Sequence, residues 1–234
     1  MNRVLDHNQS GVCFLREGLV HEAIDSFTFA VKILKDLAND VGADTPKQQL
    51  QFARRQSRRR SSQLISSSCT RAKHSNPEAA GLCFVADNAI EIPFDFKPCT
   101  QGGNHSWESS VVLFNLALSL HLVGLEKGGN ACLGKALRLY KLSKTLITKY
   151  LEEQVVDDEE NADLNTRLVM SLLNNLGQLY YELGQYRASR TYFECLTNMM
   201  DVTSRSSARD LPEDLEALLL NAIILGEPSV AAAA

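Results

Sequence analysis

Six positions recur at one spacing in two distant parts of the chain. Gly11, Phe14 and Gly18 are followed by Ala23, Phe27 and Ala30; Gly177, Tyr180 and Gly184 are followed by Ser189, Phe193 and Leu196. Such a repeat limits the fold sharply, because each copy must build the same supersecondary unit. In the later copy Leu173, Leu176, Tyr180 and Leu183 fall on one helical stripe. Gly177 interrupts that stripe, and a glycine inside a helix costs about 1 kcal/mol against alanine. Close approach of a second helix is a sufficient reason for it. Gly184 ends the helix, as a residue free to take positive φ does. Tyr186 then opens a second helix striped by Ser189, Phe193 and Leu196. An antiparallel pair of this size leaves one face uncovered, so the unit predicts neighbours.

A third copy lies between the two. Leu113, Leu116, Ala117, Leu120 and Gly124 reproduce Leu173, Leu176, Gly177, Tyr180 and Gly184, with Gly128-Gly129 lengthening the turn. Ser106 is the expected N-cap. The second helix of this copy carries Leu133, Ala136, Leu137 and Tyr140 and is expected to reach Leu151. Asp210-Leu-Pro-Glu213 reads as a capping box. It opens a last helix with Leu215, Leu218, Leu219, Ala222 and Ile223, stopped by Gly226-Glu-Pro228. The expected fold class is therefore all-α: a solenoid of three helical hairpins plus a capping helix. The first hairpin occupies residues 1–38; the second and third hairpins with the cap occupy 106–226; residues 227–234 form a frayed tail.

Residues 39–105 interrupt this pattern as an insert. From Thr45 to Pro77 there is no Asp or Glu, while Lys47, Arg54, Arg55, Arg58, Arg59, Arg60, Arg71 and Lys73 are interleaved with Ser and Gln. Low hydrophobicity with like-sign charge predicts a disordered basic loop, open to proteolysis between Lys47 and Lys73. The net charge is −4, yet 24 Lys and Arg less these 8 leave only 16 basic residues against 28 acidic ones. An acidic body thus carries one basic loop, which could fold back on the acidic stretch 152–163. Phosphorylation at Ser57 and Ser61, which sit in basophilic-kinase-like settings, would weaken that contact. Beyond the loop, Ile90, Ile92, Phe94 and Phe96 alternate with other residues. That period of two predicts an extended or edge-strand segment laid against the helices.

The small residue, aromatic, turn glycine, Ala, Phe and Ala of the first hairpin resemble the tetratricopeptide repeat. The Leu173-Asn-Asn-Leu-Gly177 wording of the third resembles repeats of the kinesin-light-chain type, which bind extended peptides. The resemblance departs in two respects: the repeats are unevenly spaced, and the proline that often closes each one is missing. It implies that the first helices of successive hairpins line a concave groove, with the residue before each Leu-small pair facing it. Those positions are Gln9, Asn115, Asn175 and, by alignment of the last helix, Asn221. A ladder of side-chain amides offers donor and acceptor together, and so could hold a peptide backbone without reading its side chains. It could equally tie neighbouring helices together. Phe114, His121, Gln178 and Tyr181 are the expected groove residues beside it. The Lys and Asn that would clamp a chaperone's C-terminal carboxylate are missing from the first helix, where Leu5, Asn8, Gln9, Val12 and Arg16 stand.

The chemistry of catalysis leaves no trace. There is no nucleophile elbow, phosphate loop, H-E-x-x-H or paired-carboxylate motif, and the acidic run 152–163 lacks the spacing and central glycine of a calcium loop. No enzymatic activity, cofactor or metal is expected. The six cysteines include no C-x-x-C pair, and Met1–Asp6 has no apolar signal core. These predict free thiols in an intracellular, cytoplasmic setting, with nuclear entry a second option through Arg54–Arg60. The apolar run Val111–Leu125 is too short for a membrane span. The expected role is an adaptor that binds a protein or peptide segment. The rival is a scaffold whose basic loop 47–73 binds nucleic acid or an anionic surface, although the acidic total makes nucleic acid the less favoured partner.

Overall fold

The computed structural model describes residues 2–41, 89–92, 105–153, 159–206, 218 and 221–223. The basic loop 47–73, the capping box at 210–213 and the tail lie outside these residues, as do residues 154–158 of the acidic stretch 152–163, whose two ends are helical rather than loop: Glu152 and Glu153 close one helix and Glu159, Glu160 and Asp163 open the next. The chain divides into two compact units, residues 1–34 with 82–234, and residues 35–81.

Among the described residues the regular structure is entirely α-helical. The helices are α1 (Asn2–Arg16), α2 (Val20–Val41), α3 (Ser106–Lys127), α4 (Asn130–Glu153), α5 (Glu159–Glu182) and α6 (Tyr186–Ser206). Residues 218 and 221–223 are helical as well. The helices follow one another as short-turned pairs, α1 with α2, α3 with α4 and α5 with α6. Each turn closes the same way. Gly18, Gly128 and Gly184 take φ of 74°, 61° and 70°. The next residue reaches back over the turn: Leu19 N–H donates to the Phe14 carbonyl, Gly129 to Gly124 and Gln185 to Tyr180, at 2.8–3.0 Å. This is the Schellman pattern, in which a left-handed residue lets the chain satisfy the last helical carbonyls.

Two expectations need correction here. Gly124 is not the turn residue of the second pair; Gly128 is. Helix α3 runs on past Gly124 to Lys127, so the equivalent turn falls four residues later. Gly124 instead stays helical and buried, with the Leu133 side chain packed where its Cβ would stand, 2.5 Å from Cδ2. Nor is Ser106 the N-cap. His105 holds that position without a side-chain cap, and Ser106 is the first helical residue.

The interior glycines of the other pairs have the same function. A Cβ on Gly11 would meet the Phe27 ring at 2.5 Å, and one on Gly177 would meet the Phe193 ring at 2.9 Å. Each aromatic ring therefore lies against bare backbone of the partner helix. In the middle pair the approach is secured by polar atoms. Ser110 Oγ donates to the Ser143 carbonyl at 2.9 Å, and Ser143 Oγ donates to the Ser110 carbonyl at 2.8 Å. Trp107 Nε1 donates to Asn165 Oδ1 at 2.7 Å, joining α3 to α5.

Burial separates two kinds of helix. In α4 the buried positions are Leu133, Ala136, Tyr140, Ser143, Ile147 and Tyr150, a single stripe with steps of three and four. In α3 every residue from Val111 to Ser119 is buried, and α5 is buried without a break from Leu172 to Tyr180. Helix α3 touches both α1 and α5, and α5 also touches α4. The first helices of successive pairs are thus neighbours, and α3 and α5 are covered on several sides. The apolar run of α3 belongs to a helix of 22 residues, long and apolar enough to cross a bilayer by length and composition. In this fold 78% of its apolar window is buried against protein, as in the core helix of a bundle.

Candidate functional site

The short non-helical segment Ala89–Ile92 lies against α1 and α3. Ala89 packs on the cluster formed by Val12, Ala23, Phe27 and Leu116, and Ile92 is buried. The segment is held by its backbone. Ile90 N–H donates to Asn115 Oδ1 at 2.9 Å, and Asn115 Nδ2 donates to the Ile90 carbonyl at 2.8 Å. In an extended residue the N–H and C=O point to the same side, which is how a neighbouring strand pairs with both. One primary amide carries the matching acceptor and donor. Asn115 therefore treats Ile90 as an adjacent β-strand would.

A second amide completes the clamp. Asn8 Nδ2 donates to the same Ile90 carbonyl at 3.3 Å, and Asn8 Oδ1 accepts from Asn115 Nδ2 at 2.9 Å. Both side chains are buried, Asn115 at 0% and Asn8 at 1% exposure. At the edge of the site Arg16 forms an ion pair with Glu91 at 2.6 Å, with both side chains partly in solvent.

The amide that α1 contributes is thus Asn8. Gln9, one residue on, is rotated away from Ile90 and lines a shallow surface depression with Asp6, Ser10, Cys13 and Phe14. A step of one residue turns a helix by about 100°, enough to move a side chain off the face. The signal was present in the doubled amide Asn8-Gln9, which parallels Asn174-Asn175.

The other predicted amides are brought together, but among side chains. Asn221 Nδ2 donates to Asn174 Oδ1 at 2.9 Å, Asn174 Nδ2 to Asn175 Oδ1 at 3.0 Å, and Asn175 Nδ2 to the Tyr140 hydroxyl at 3.1 Å. A rule emerges from these bonds. Asn115 donates to Asn8, and Asn221 donates to Asn174, so an amide of one first helix reaches the preceding position on the previous first helix. For Asn175 the residue at that preceding position is Phe114, which has no acceptor. Asn175 turns to the Tyr140 hydroxyl instead. Asn175→Ala is therefore expected to lower stability by about 1–3 kcal/mol, the cost of leaving a buried polar group without its partner, measurable by denaturant melts.

Phe114 and His121 are fully buried and flank the Tyr140 ring, Phe114 tilted at 5.7 Å and His121 edge-on at 6.0 Å between centroids. Both His121 ring nitrogens and the Gln178 side-chain oxygen lack a hydrogen-bond partner among the described residues. Burial pushes the His121 pKa down to about 4, so the ring is neutral at pH 7. Tyr181 lies elsewhere, exposed near the Gly184 turn with its ring edge-on to Tyr186 at 5.3 Å. Among the described residues no group of His, Cys, Asp or Glu is placed to hold a metal ion, and Cys13, Cys132 and Cys195 are free thiols.

No family model, curated protein or solved structure matches this chain.

Proposed function

We propose that the chain is a non-enzymatic, tetratricopeptide-like adaptor whose first helices form a concave groove for an extended peptide. The observation that carries this reading is the two-point grip of Asn115 on the Ile90 backbone. A buried amide that pairs with both the N–H and the C=O of one residue recognises extended main chain, whatever side chain that residue bears. The Asn174–Asn221 pair repeats the Asn8–Asn115 pair two hairpins further along, which fits a groove built from repeated units. His121 and Gln178 add buried polar atoms near its middle.

The test is selection of peptides from a random-sequence library on the full chain carrying Ile92→Asp, which weakens the hold on its own segment, followed by affinity measurement on variants made in that chain. Asn8→Ala with Asn115→Ala removes up to three hydrogen bonds to the bound backbone. Each is worth about 0.5–1.5 kcal/mol, so affinity should fall by at least an order of magnitude while circular dichroism still reports the helical fold. Selected peptides that bind the double variant as tightly as the parent would remove these amides from the binding site.

A further inference from the structure

The segment Ala89–Ile92 does more than fill space. It presents to the clamp a half-buried aliphatic residue, an acidic residue and a buried aliphatic residue in succession: Ile90, Glu91 and Ile92. Each is engaged by the fold. The Ile90 backbone is held by Asn8 and Asn115, Ile92 is 5% exposed, and Glu91 meets Arg16. The contacts bridge 82 and 25 positions in sequence, so the segment reaches the helices from outside the helical hairpins. We infer that Ala89–Ile92 is an internal pseudo-ligand occupying the Asn8/Asn115 clamp, and that the natural ligand is a partner's extended segment with an aliphatic–acidic–aliphatic triplet, its acid selected by Arg16.

This rests on the proposed groove function and specifies its ligand. Charge complementarity supports the acid: Arg16 stands at the edge of the clamp, 63% exposed, in position to be offered a carboxylate from either a cis or a trans segment. A competitor in the same chain binds intramolecularly and is not diluted away. It therefore lowers the apparent affinity for any outside peptide and sets a threshold that only a better-matched triplet crosses. Arg16 is a specificity determinant, distinct from the two amides that hold main chain.

The experiment uses the full chain and a fluorescent peptide with the sequence of residues 87–94, Asp-Asn-Ala-Ile-Glu-Ile-Pro-Phe, together with a copy in which its Glu is replaced by Lys. The proteins are the parent, Ile92→Asp and Glu91→Lys, the last changing only a partly solvated side chain so that folding is preserved. Releasing the internal segment with Ile92→Asp should tighten binding of the Glu peptide by about tenfold, as removal of a competitor in the same chain does; Glu91→Lys, which removes only the exposed ion pair, should tighten it by about three- to fivefold. In the released chains the Glu peptide should outbind the Lys peptide by about three- to fivefold, the range of an exposed ion pair. Arg16→Glu added to Glu91→Lys should reverse that order. Peptide binding that is equal in the parent and both released chains would overturn the pseudo-ligand assignment. Tight binding that is indifferent to Glu or Lys, with or without Arg16, would overturn the triplet specificity while leaving the groove intact. Failure of both peptides to bind any folded released chain would sink the groove function itself.

Discussion

Phe193→Ala is expected to lower the unfolding free energy by about 3–5 kcal/mol, the range for truncating a fully buried aromatic ring. Phe193 is 1% exposed and sits among Met170, Leu173, Leu196, Met200, Leu218 and Ala222. Its loss opens a cavity between α5, α6 and the helical residues that follow them. Denaturant melts give the value, and a loss below about 1.5 kcal/mol would mean that the neighbours collapse into the space. The same ring makes Gly177 intolerant of a side chain. Gly177→Ala gains about 1 kcal/mol of helix propensity, but its methyl would stand 2.9 Å from Phe193 Cζ, and overpacking of this kind costs about 1–3 kcal/mol. A net loss is expected. Phe193→Leu in the Gly177→Ala background should cost less than Phe193→Leu alone, because the smaller side chain relieves the clash. Additive costs in that double-mutant cycle would show that glycine and ring do not interact.

Acid should weaken the fold through His121, an effect of about 3 kcal/mol at full extent. Its folded pKa of about 4 lies below the ordinary value of 6.5 because burial disfavours the charged ring. The unfolded chain binds the proton first, so stability falls as pH drops from about 6.5 to about 4 and is level in this respect above that window. Glu108 acts in the opposite sense. Burial raises its carboxyl above the usual range, with the Glu108 backbone and His105 pulling it back down, so the folded state takes up its proton more readily and gains on acidification. The comparison that isolates His121 is His121→Phe, measured by denaturant melts at pH 7 and pH 4. The parent should lose about 3 kcal/mol more than the variant between the two pH values. An equal loss in both would mean that the imidazole finds a partner when charged.

Much of the fold was legible because helix packing leaves a local record. Gly11 with Phe27 and Gly177 with Phe193 have identical spacing, and each glycine lies under its ring. Gly18 and Gly184 turn the chain with positive φ, as the interruption of each apolar stripe implied. The middle pair was misread at Gly124 because a glycine that admits a neighbour and a glycine that reverses the chain look alike in sequence. Only the helical course of α3 past Gly124 to Lys127 distinguishes them.

The candidate site was legible to the level of a residue type and a helix face. That Asn115, Asn175 and Asn221 belong to one kind of position follows from their common offset from a Leu-small or equivalent apolar pair. Which amide of Asn8-Gln9 does the holding depends on the rotation of α1 against α3, and periodicity does not fix that rotation to within one residue. That Asn175 turns to Tyr140 depends on Phe114 having no acceptor at a position contributed by another helix. The sequence by itself determined the helices, their pairing and the supply of amides, since all three follow from patterns within one helical hairpin. Only the tertiary structure decided that Asn115 grips Ile90, because that bond joins an extended segment to a helix that begins after it in sequence. Its strength comes from the shared burial of Asn8 and Asn115, which no local pattern encodes.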